Sequence, residues 1–515
     1  MAARIKYFSK RIEAGIMAEP APETRREIPV QGGLSNKAVQ GMAEFVKTHY
    51  LDARLGVLGR SYQELWSETK DSVELSWTLS APSGPNPFLD AGTGPRATLA
   101  ITPTSVAVTS TGLDAGFPGA RQLFQRAADE IEVLVTTYIA RARTTSMYFI
   151  LSSGKSQTMK DVPASDSTGK EAMKTLMAGN MLNVYLIIMA ASFGLFFIIG
   201  VDAIFVVLGL QLVVLFFSDR LALRGGRVHP TADRPKVTLV SIPVSPETKQ
   251  IVTKYASNIV SDTREKLEHA LSVESPEDSA VAASVKTIMT NSGFKSAPDD
   301  VRIVTRDVYD LVKGVADRFR MPVPKIVITN NIADNAAATG VSPRRAAISI
   351  TAGSLEDLDD PELSSVIGHE FGHVKGRDPL ILFSVTFLLY VGGLFLWYPL
   401  VLYLGIVYYL LVFAVIYAVG KVLETRADTE SFAKLGEPAV LASALTNIGF
   451  RQLYYERYSP GLKLADWLRF DPHPPIYFRV QRLSRFASLH SQVKHTLLVS
   501  IRDCASGFFS ALLGR

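Results

Sequence analysis

Residues 369–378 read HEFGHVKGRD, and this stretch decides how the rest of the chain is interpreted. We expect a helix from about Pro361 to Lys375, and His369 and His373 stand four residues apart on one face of it. Two imidazoles on one helical face can reach one metal ion. Glu370 points near the open coordination position, where it can take a proton from water. The alternative is a pair of surface histidines on an amphipathic helix.

A catalytic zinc site needs a third protein ligand and a position for water. In the segment ETRAD, Glu424 and Asp428 are also four residues apart and therefore share a helical face. One carboxylate can bind the metal while the other accepts the free N–H of a ligating histidine. The alternative is ordinary charge at a membrane exit. Cys504 is the only cysteine, so a cysteine metal cage and an intramolecular disulfide are excluded.

Two long apolar stretches lie on either side of the histidine motif. Residues 181–218 carry one formal charge, Asp202, and residues 380–420 carry none. A bilayer crossing needs roughly 20 helical residues, so each stretch fits two crossings joined by a turn. We therefore expect four transmembrane helices in two hairpins, with turns near Gly200–Ala203 and Trp397–Pro399. The alternative is two buried core hairpins of a soluble protein.

Basic residues flank both hairpins, and neither turn contains Lys or Arg. Under the positive-inside rule, both hairpins open towards the cytoplasm. We expect a multi-pass integral protein of the plasma or inner membrane, with the catalytic site and both termini cytoplasmic. The flanking charges are Lys170, Lys174, Arg220, Arg224, Arg227, Lys375, Arg377, Lys421 and Arg426.

The remaining sequence reads as mixed helix and strand, so the predicted fold class is an α+β membrane protein. An N-terminal α+β domain, 1–151, is followed by a linker, 152–180. Between the hairpins lies a catalytic region, 219–379, and after them a third-ligand helix with a C-terminal catalytic region, 421–515. The net charge of +5 over 515 residues, without a long Lys/Arg run, argues against a nucleic-acid partner.

Individual elements follow from hydrophobic periodicity and turn signals. The predicted helices are Ser35 to about residue 48, Ala120–Arg143, Pro246–Leu271, Ser279–Thr290 and Ile303–Phe319. The predicted strands are Val73–Leu79, Ala97–Thr109, Met147–Leu151, Val237–Val244, Lys325–Thr329 and Ala346–Thr351.

Four motifs, in their order along the chain, resemble the HtpX and CAAX-prenyl-endoprotease family of integral-membrane zinc peptidases. They are NAAATG from Asn335 followed by VSPRRAAISIT, HEFGHVKGRD from His369, ETRAD from Glu424, and HPP from His473 with Arg479 six residues after the histidine. The resemblance covers about residues 180 to 485. Ala337 replaces a residue that is often aromatic in the family, residues 246–300 form an unusually long insertion, and residues 1–170 have no counterpart.

The resemblance implies a zincin-type, gluzincin-like domain with one zinc ion per chain. The implied ligands are His369, His373 and Glu424, with Glu370 as general base. Asp428 would orient a ligating histidine, most simply His369.

By the same resemblance, His473 would stabilise the oxyanion of the tetrahedral intermediate, and Arg479 would hold that subsite together. The alternative for His473-Pro474-Pro475 is a simple loop end. A substrate would add as a strand along Ala346–Thr351, because a free sheet edge offers main-chain hydrogen bonds. The implied substrate-binding residues are Asn335, Ala346, Ala347, Ile348 and Ser349.

These expectations together describe a membrane-bound zinc endopeptidase that hydrolyses membrane or misfolded proteins with a metal-activated water. Its partners would be a polypeptide substrate and the lipid bilayer, with an unspecified partner for the N-terminal domain. One alternative is a protease that processes lipidated C-termini, which four crossings disfavour. Another is an inactive zinc-binding membrane scaffold, which has no need of a base at Glu370.

Overall fold

A computed structural model of the chain gives the positions of the elements below. The structure describes residues 25–28, 30, 36–56, 63–67, 71–78, 96–111, 120–144, 146–152, 194–195, 197–200, 202–226, 228–243, 287, 302–331, 333–395, 403–404, 406–458, 460–489, 493 and 495–514. The predicted helices Pro246–Leu271 and Ser279–Thr290 fall outside these residues, apart from Thr287.

An N-terminal lobe contains a five-stranded antiparallel sheet in the order β1-β5-β4-β3-β2. Two helices enclose its core with the sheet, and the first continues into a π-helical segment, Lys47–Gly56. The elements are β1 Arg25–Ile28, α1 Asn36–Val46, β2 Gln63–Trp66, β3 Val73–Thr78, β4 Arg96–Ile101, β5 Val106–Thr111 and α2 Ala120–Thr144. The alternating burial of β4 produces the period-2 pattern seen in the sequence.

The predicted strand Ala97–Thr109 is in fact a hairpin, β4 and β5. Thr102 and Ser105 close the turn: the Thr102 N–H donates to the Ser105 carbonyl at 2.8 Å, and their hydroxyls lie 2.9 Å apart. The segment Thr102-Pro103-Thr104-Ser105 is a turn signal inside the run, and the prediction of a single strand passed over it.

A second antiparallel sheet joins distant parts of the chain in the order β6-β7-β8. Its strands are β6 Ser146–Ser152, β7 Lys236–Pro243 and β8 Arg302–Asp307. The strand predicted at the end of the N-terminal domain therefore pairs with the region that follows the first apolar stretch. The helix predicted from Ile303 begins later, at Val308, because the Asp307 carboxylate caps it by accepting the Asp310 N–H at 3.0 Å.

A third sheet has the order β10-β11-β9, with β10 antiparallel and β9 parallel to the central strand. Three helices surround it and share its core with the second sheet. The elements are α5 Val308–Phe319, β9 Lys325–Thr329, β10 Ala336–Ser342, β11 Arg345–Thr351, α6 Ala352–Asp357 and α7 Asp360–Gly376.

Helix α7 carries the histidine motif and has well-defined ends. At its start, the Asp359 carboxylate accepts the Glu362 N–H at 2.9 Å and Glu362 reaches back to the Asp359 N–H, a reciprocal capping box. At its end, Arg377 adopts a left-handed backbone conformation with φ 55°. The chain therefore turns sharply at Arg377 and brings Asp378 back towards the helix it has just left.

The C-terminal half is helical, and it is organised by a close crossing between α7 and the long helix α9, Ile406–Leu435. A Cβ at Gly372 would lie 2.9 Å from the Ala427 Cα and 3.0 Å from its carbonyl oxygen, so only glycine permits this approach. The helices are α8 Asp378–Phe395, α9 Ile406–Leu435, α10 Pro438–Tyr458, α11 Lys463–Leu468, α12 Ile476–Leu489 and α13 Thr496–Leu512.

Two further helices precede the second sheet, α3 Asp202–Phe216 and α4 Ser218–Leu223. Helix α3 packs against α8, and Phe205 and Phe395 have ring centroids 6.4 Å apart. Within the described part of the chain, no helix combines the length and the apolarity that a membrane crossing requires. Much of the predicted first hairpin, residues 181–193, and the turn of the second, residues 396–402, lie outside that part.

Candidate metal centre

The two motif histidines of α7 each have a carboxylate behind the ring. Nδ1 of His373 lies 2.7 Å from Oδ2 of Asp378, and Nδ1 of His369 lies 2.8 Å from Oδ1 of Asp428. The second contact is short, although His369 Nδ1 makes no hydrogen bond of normal geometry. A carboxylate at Nδ1 favours the tautomer with the proton on that nitrogen, which leaves the Nε2 lone pair available.

The two Nε2 atoms face each other at 3.1 Å, and Glu424 of α9 completes a triangle with them. Its carboxylate oxygens lie 3.3 Å from His369 Nε2 and 3.4 Å from His373 Nε2. Ligand atoms bound tetrahedrally at about 2.0–2.1 Å from zinc are about 3.3–3.4 Å apart, so the three residues fit a zinc ion. Two neutral imidazoles would otherwise direct their lone pairs at each other.

Glu370 is a second carboxylate near the histidines, and the candidate ligand atoms of His369, Glu370 and His373 all lie within 4.8 Å of one another. Glu370 Oε2, however, accepts the backbone N–H of Ala338 at 2.7 Å. Glu424 comes closer to both imidazoles and reaches each with a different oxygen. Glu424 therefore makes two short contacts with the imidazoles, at 3.3 and 3.4 Å, of the kind that a third ligand would need.

The centre is electrostatically prepared for a positive charge. Glu424 Oε2 is buried without a hydrogen-bond donor among the described residues. Burial raises the pKa of Glu424, but His473 and His373 outweigh it and hold that pKa well below its usual range. Burial lowers the pKa of His373, but Glu424 and Asp378 outweigh it and raise it well above normal. A cation at this position is stabilised by the same field.

An arginine supports each of the two carboxylates behind the histidines. Arg479 of α12 donates to both oxygens of Asp428, at 2.9 and 2.6 Å. Arg426 of α9 donates to Asp378 and to the Gly372 carbonyl, the latter at 3.2 Å. Arg479 therefore lies behind the ligands and 3.9 Å from Glu424. Through Asp428, Arg479 would position a ligand and would not contact a substrate directly.

Asp378 and Arg426 have roles that the sequence interpretation missed. Asp378 lies five residues after His373, beyond the helix end, so helical spacing does not predict its contact with the His373 ring. Arg426 was interpreted as a topogenic charge at a membrane exit, but its side chain is buried. The sequence signal for the Asp378 contact was the segment Gly376-Arg377-Asp378, in which a glycine and two opposite charges stand at the end of the histidine helix.

His473 lies on the loop before α12, at the solvent side of the centre. Its Nε2 is 3.6 Å from Glu424 Oε1, and its Nδ1 is 2.9 Å from Oδ1 of Asp471. More than half of its side chain is exposed, at 55%. Its position beside the ligand set leaves it accessible to a bound molecule.

The predicted substrate strand does not have a free edge. Strand β11, which contains Ala346, Ala347, Ile348 and Ser349, pairs with β10 on one side and β9 on the other. The prediction that a peptide adds along Ala346–Thr351 is therefore wrong. Periodicity identified the strand correctly, but the position of a strand within its sheet depends on its partners. Asn335 precedes β10, and its backbone accepts the Thr351 N–H at 3.1 Å.

The edge of this sheet that faces the centre is β10. The Ala338 N–H donates to Glu370, so it points away from β11. The Asn335 carbonyl bonds Thr351 of β11, which gives the same alternation from the other end. By this alternation Ala336, Ala338 and Gly340 present their N–H and C=O groups outward, and β10 packs against α7.

A helix with the HEXXH motif, a carboxylate on a crossing helix and an adjoining sheet edge are the features of zinc metallopeptidases. The model of peptidase family M48 matches residues 303–487. Three relatives illustrate the similarity. An HtpX protease homologue of Methanocaldococcus jannaschii is 32% identical over 210 residues, 34% of this chain and 73% of its own. HtpX of Legionella pneumophila is 33% identical over 213 residues, 34% and 75% of the two chains. Homologue 1 of Streptomyces coelicolor is 31% identical over 170 residues, 28% and 56%.

This chain belongs to the HtpX-like members of peptidase family M48, the zinc metallopeptidase family that the resemblance predicted. The similarity lies in about a third of the chain, the part that contains the centre. No solved structure gives a significant match to the chain. The predicted α+β class and the prediction of an enzyme are confirmed at this level.

Replacing Asp378 with Asn keeps the size of the side chain but removes the charge behind His373. We expect zinc affinity to fall about ten- to a hundredfold, as for other residues that orient metal ligands. The measurement is competition with a chromophoric chelator. Asp317→Asn, on the exposed face of α5, is the matched control. Equal affinities for both variants would contradict the orienting role of Asp378.

Proposed function

We propose that this protein is a membrane-bound zinc endopeptidase in which His369, His373 and Glu424 hold one zinc ion. The observation that carries the proposal is that the two Nε2 atoms lie 3.1 Å apart, with one oxygen of Glu424 3.3 Å from His369 Nε2 and the other 3.4 Å from His373 Nε2. Asp428 and Asp378 orient the two imidazoles, and Arg479 and Arg426 fix those carboxylates. When bound, zinc lowers the pKa of water and polarises the scissile carbonyl.

Glu370 is the proposed general base. It follows His369 directly, and its carboxylate lies within 4.8 Å of the ligand nitrogens of both histidines. Its carboxylate accepts the proton of the attacking water and returns it to the leaving amine. His473 donates a hydrogen bond to the oxyanion that forms at the carbonyl, from the accessible side of the centre.

The proposed substrate site is the edge of β10 instead of β11. A polypeptide in extended conformation can pair with the outward groups of Ala336, Ala338 and Gly340, which run past Glu370. Main-chain pairing is independent of side-chain sequence, so it suits an enzyme that accepts unfolded segments of many proteins.

Membrane attachment is the second part of the proposal. Helices α3, α8 and the first half of α9 expose large apolar side chains, an arrangement typical of a lipid-facing surface. They include Phe205, Val206, Leu210, Val213, Leu388, Phe395, Leu410 and Leu411. We assign these helices to the two predicted hairpins, 181–218 and 380–420, and place the catalytic site and both termini on the cytoplasmic side of a plasma or inner membrane.

The proposed substrates are membrane or misfolded proteins. Processing of lipidated C-termini is the enzymatic alternative. An inactive zinc-binding scaffold is the non-enzymatic one, against which the position of Glu370 argues. The boundaries 1–151, 152–180, 219–379 and 421–515 remain proposals, with β6 joined to the sheet of the catalytic region.

Replacing Glu370 with Gln removes the base but keeps the hydrogen-bonding shape. We expect cleavage of unfolded casein to fall about a hundred- to ten-thousand-fold, with one zinc per chain retained. Wild-type cleavage should stop with a chelator and return with zinc. Glu437→Gln, on an exposed loop, is the matched control. Unchanged cleavage by the Glu370 variant would exclude the proposed mechanism.

Pairing along β10 predicts an alternating response to N-methylation of a peptide substrate. Methylating amides that pair with β10 should raise KM about five- to tenfold per lost hydrogen bond, whereas methylating the alternate amides should have little effect. The measurement is KM for peptides methylated at successive positions. A uniform response along the peptide would argue against strand addition.

Insertion in the bilayer predicts that alkaline carbonate leaves the protein in the membrane pellet and that detergent releases it. Carbonate removes proteins held by charge but not helices whose apolar side chains contact lipid. The measurement is fractionation of membranes after expression of the full chain, with a peripheral membrane protein as the control. Release by carbonate would show that these apolar helices are covered by protein.

A further inference from the structure

Lys421 lies on α9 one turn before Glu424 and is only 4% exposed. The sequence suggested that this lysine flanks a membrane crossing as a free charge. Instead its Nζ donates to the Arg469 carbonyl at 3.1 Å and to the Asp471 carbonyl. A buried ammonium group requires such acceptors, because an unpaired buried charge is costly. Lys421 therefore connects the third-ligand helix to the loop that follows α11.

This loop rests directly on α9. A Cβ at Gly420 would lie 3.0 Å from the Pro472 Cβ, closer than ordinary packing, so glycine allows the approach. The loop contains three prolines, Pro472, Pro474 and Pro475, which have no N–H to donate. The loop therefore contains few donors of its own, and Lys421 donates two hydrogen bonds to its carbonyl groups.

His473 is held in this loop by Asp471, whose carbonyl Lys421 binds. Oδ1 of Asp471 accepts the His473 backbone N–H and contacts its Nδ1, both at 2.9 Å. On the other side of the loop, the buried carboxylate of Glu456 accepts the N–H groups of Ile476 and Tyr477, at 3.2 and 2.7 Å. Both ends of the segment are thus fixed, and His473 lies between them.

We propose that Lys421 and Asp471 are positioning residues that hold His473 in a fixed relation to Glu424. Because Lys421 and Glu424 belong to the same helix, the third ligand and the oxyanion-stabilising group are carried by one rigid unit. The proposal rests on the proposed function of His473. It adds that Lys421 acts on catalysis through His473 and not through the metal.

The test combines amide hydrogen exchange with a double-mutant cycle. Lys421→Met keeps the apolar stem and removes the donors. Lys434→Met, on the exposed face of the same helix, is the matched control. We expect faster exchange in residues 469–477 of the Lys421 variant only. We also expect kcat to fall about ten- to a hundredfold with little change in KM and zinc content, because a small displacement of a catalytic group is costly.

In a His473→Ala background the same Lys421→Met change should lower kcat less than about twofold, since residues that act through one another are not additive. An equal loss in both backgrounds, or unchanged exchange and kcat in Lys421→Met, would overturn the proposal. If Lys421→Met fails to fold, judged by thermal melting, Asp471→Ala takes its place in the cycle with the same expectations, because the Asp471 side chain is partly exposed, at 44%. Exchange does not depend on turnover, so an inactive wild-type protein would count against the proposed function alone.

Discussion

Two imidazole nitrogens that face each other at 3.1 Å are the constraint around which the catalytic lobe is arranged. Their rings are held from behind by Asp428 and Asp378, and those carboxylates are held in turn by Arg479 and Arg426. Each histidine is therefore the end of a chain of charge-assisted contacts. Buried charges are costly unless each one is paired. The loss of one side chain of this network is therefore expected to disturb its partners as well.

Helix α9 carries much of this network, and its contact with α7 makes the network possible. Glu424, Asp428 and Arg426 all lie on α9, while both histidines lie on α7. The glycine at position 372 lets the two backbones approach closely enough for the Glu424 carboxylate to reach both rings. Lys421, on the same helix, connects it by a hydrogen bond to the loop that contains His473. One helix thus organises the ligands, their support and the loop above them.

The errors of the sequence interpretation share one physical origin. The strand at Ala346–Thr351 was identified correctly, but its neighbours β9 and β10 decide that it has no free edge. The run Ala97–Thr109 was predicted as one strand, although the chain reverses between Thr102 and Ser105. Lys421 and Arg426 were interpreted as membrane-flanking charges, yet both are buried by segments about fifty residues away in the sequence. Local pattern records which residues are apolar, not which distant segment covers them.

The sequence by itself determined that His369, Glu370 and His373 lie on one helix and that two carboxylates, Glu424 and Asp428, share a face of another. Both follow from helical spacing, which is a local property of the backbone. Family resemblance extended this to the enzyme class, and the comparisons confirmed it. Only the tertiary structure decided that Asp378 turns back on His373, that β10 is the sheet edge beside Glu370, and that Lys421 reaches the His473 loop. These contacts depend on the left-handed turn at Arg377, on strand order and on helix packing. Such features arise from interactions between segments remote in the chain, which no local spacing encodes.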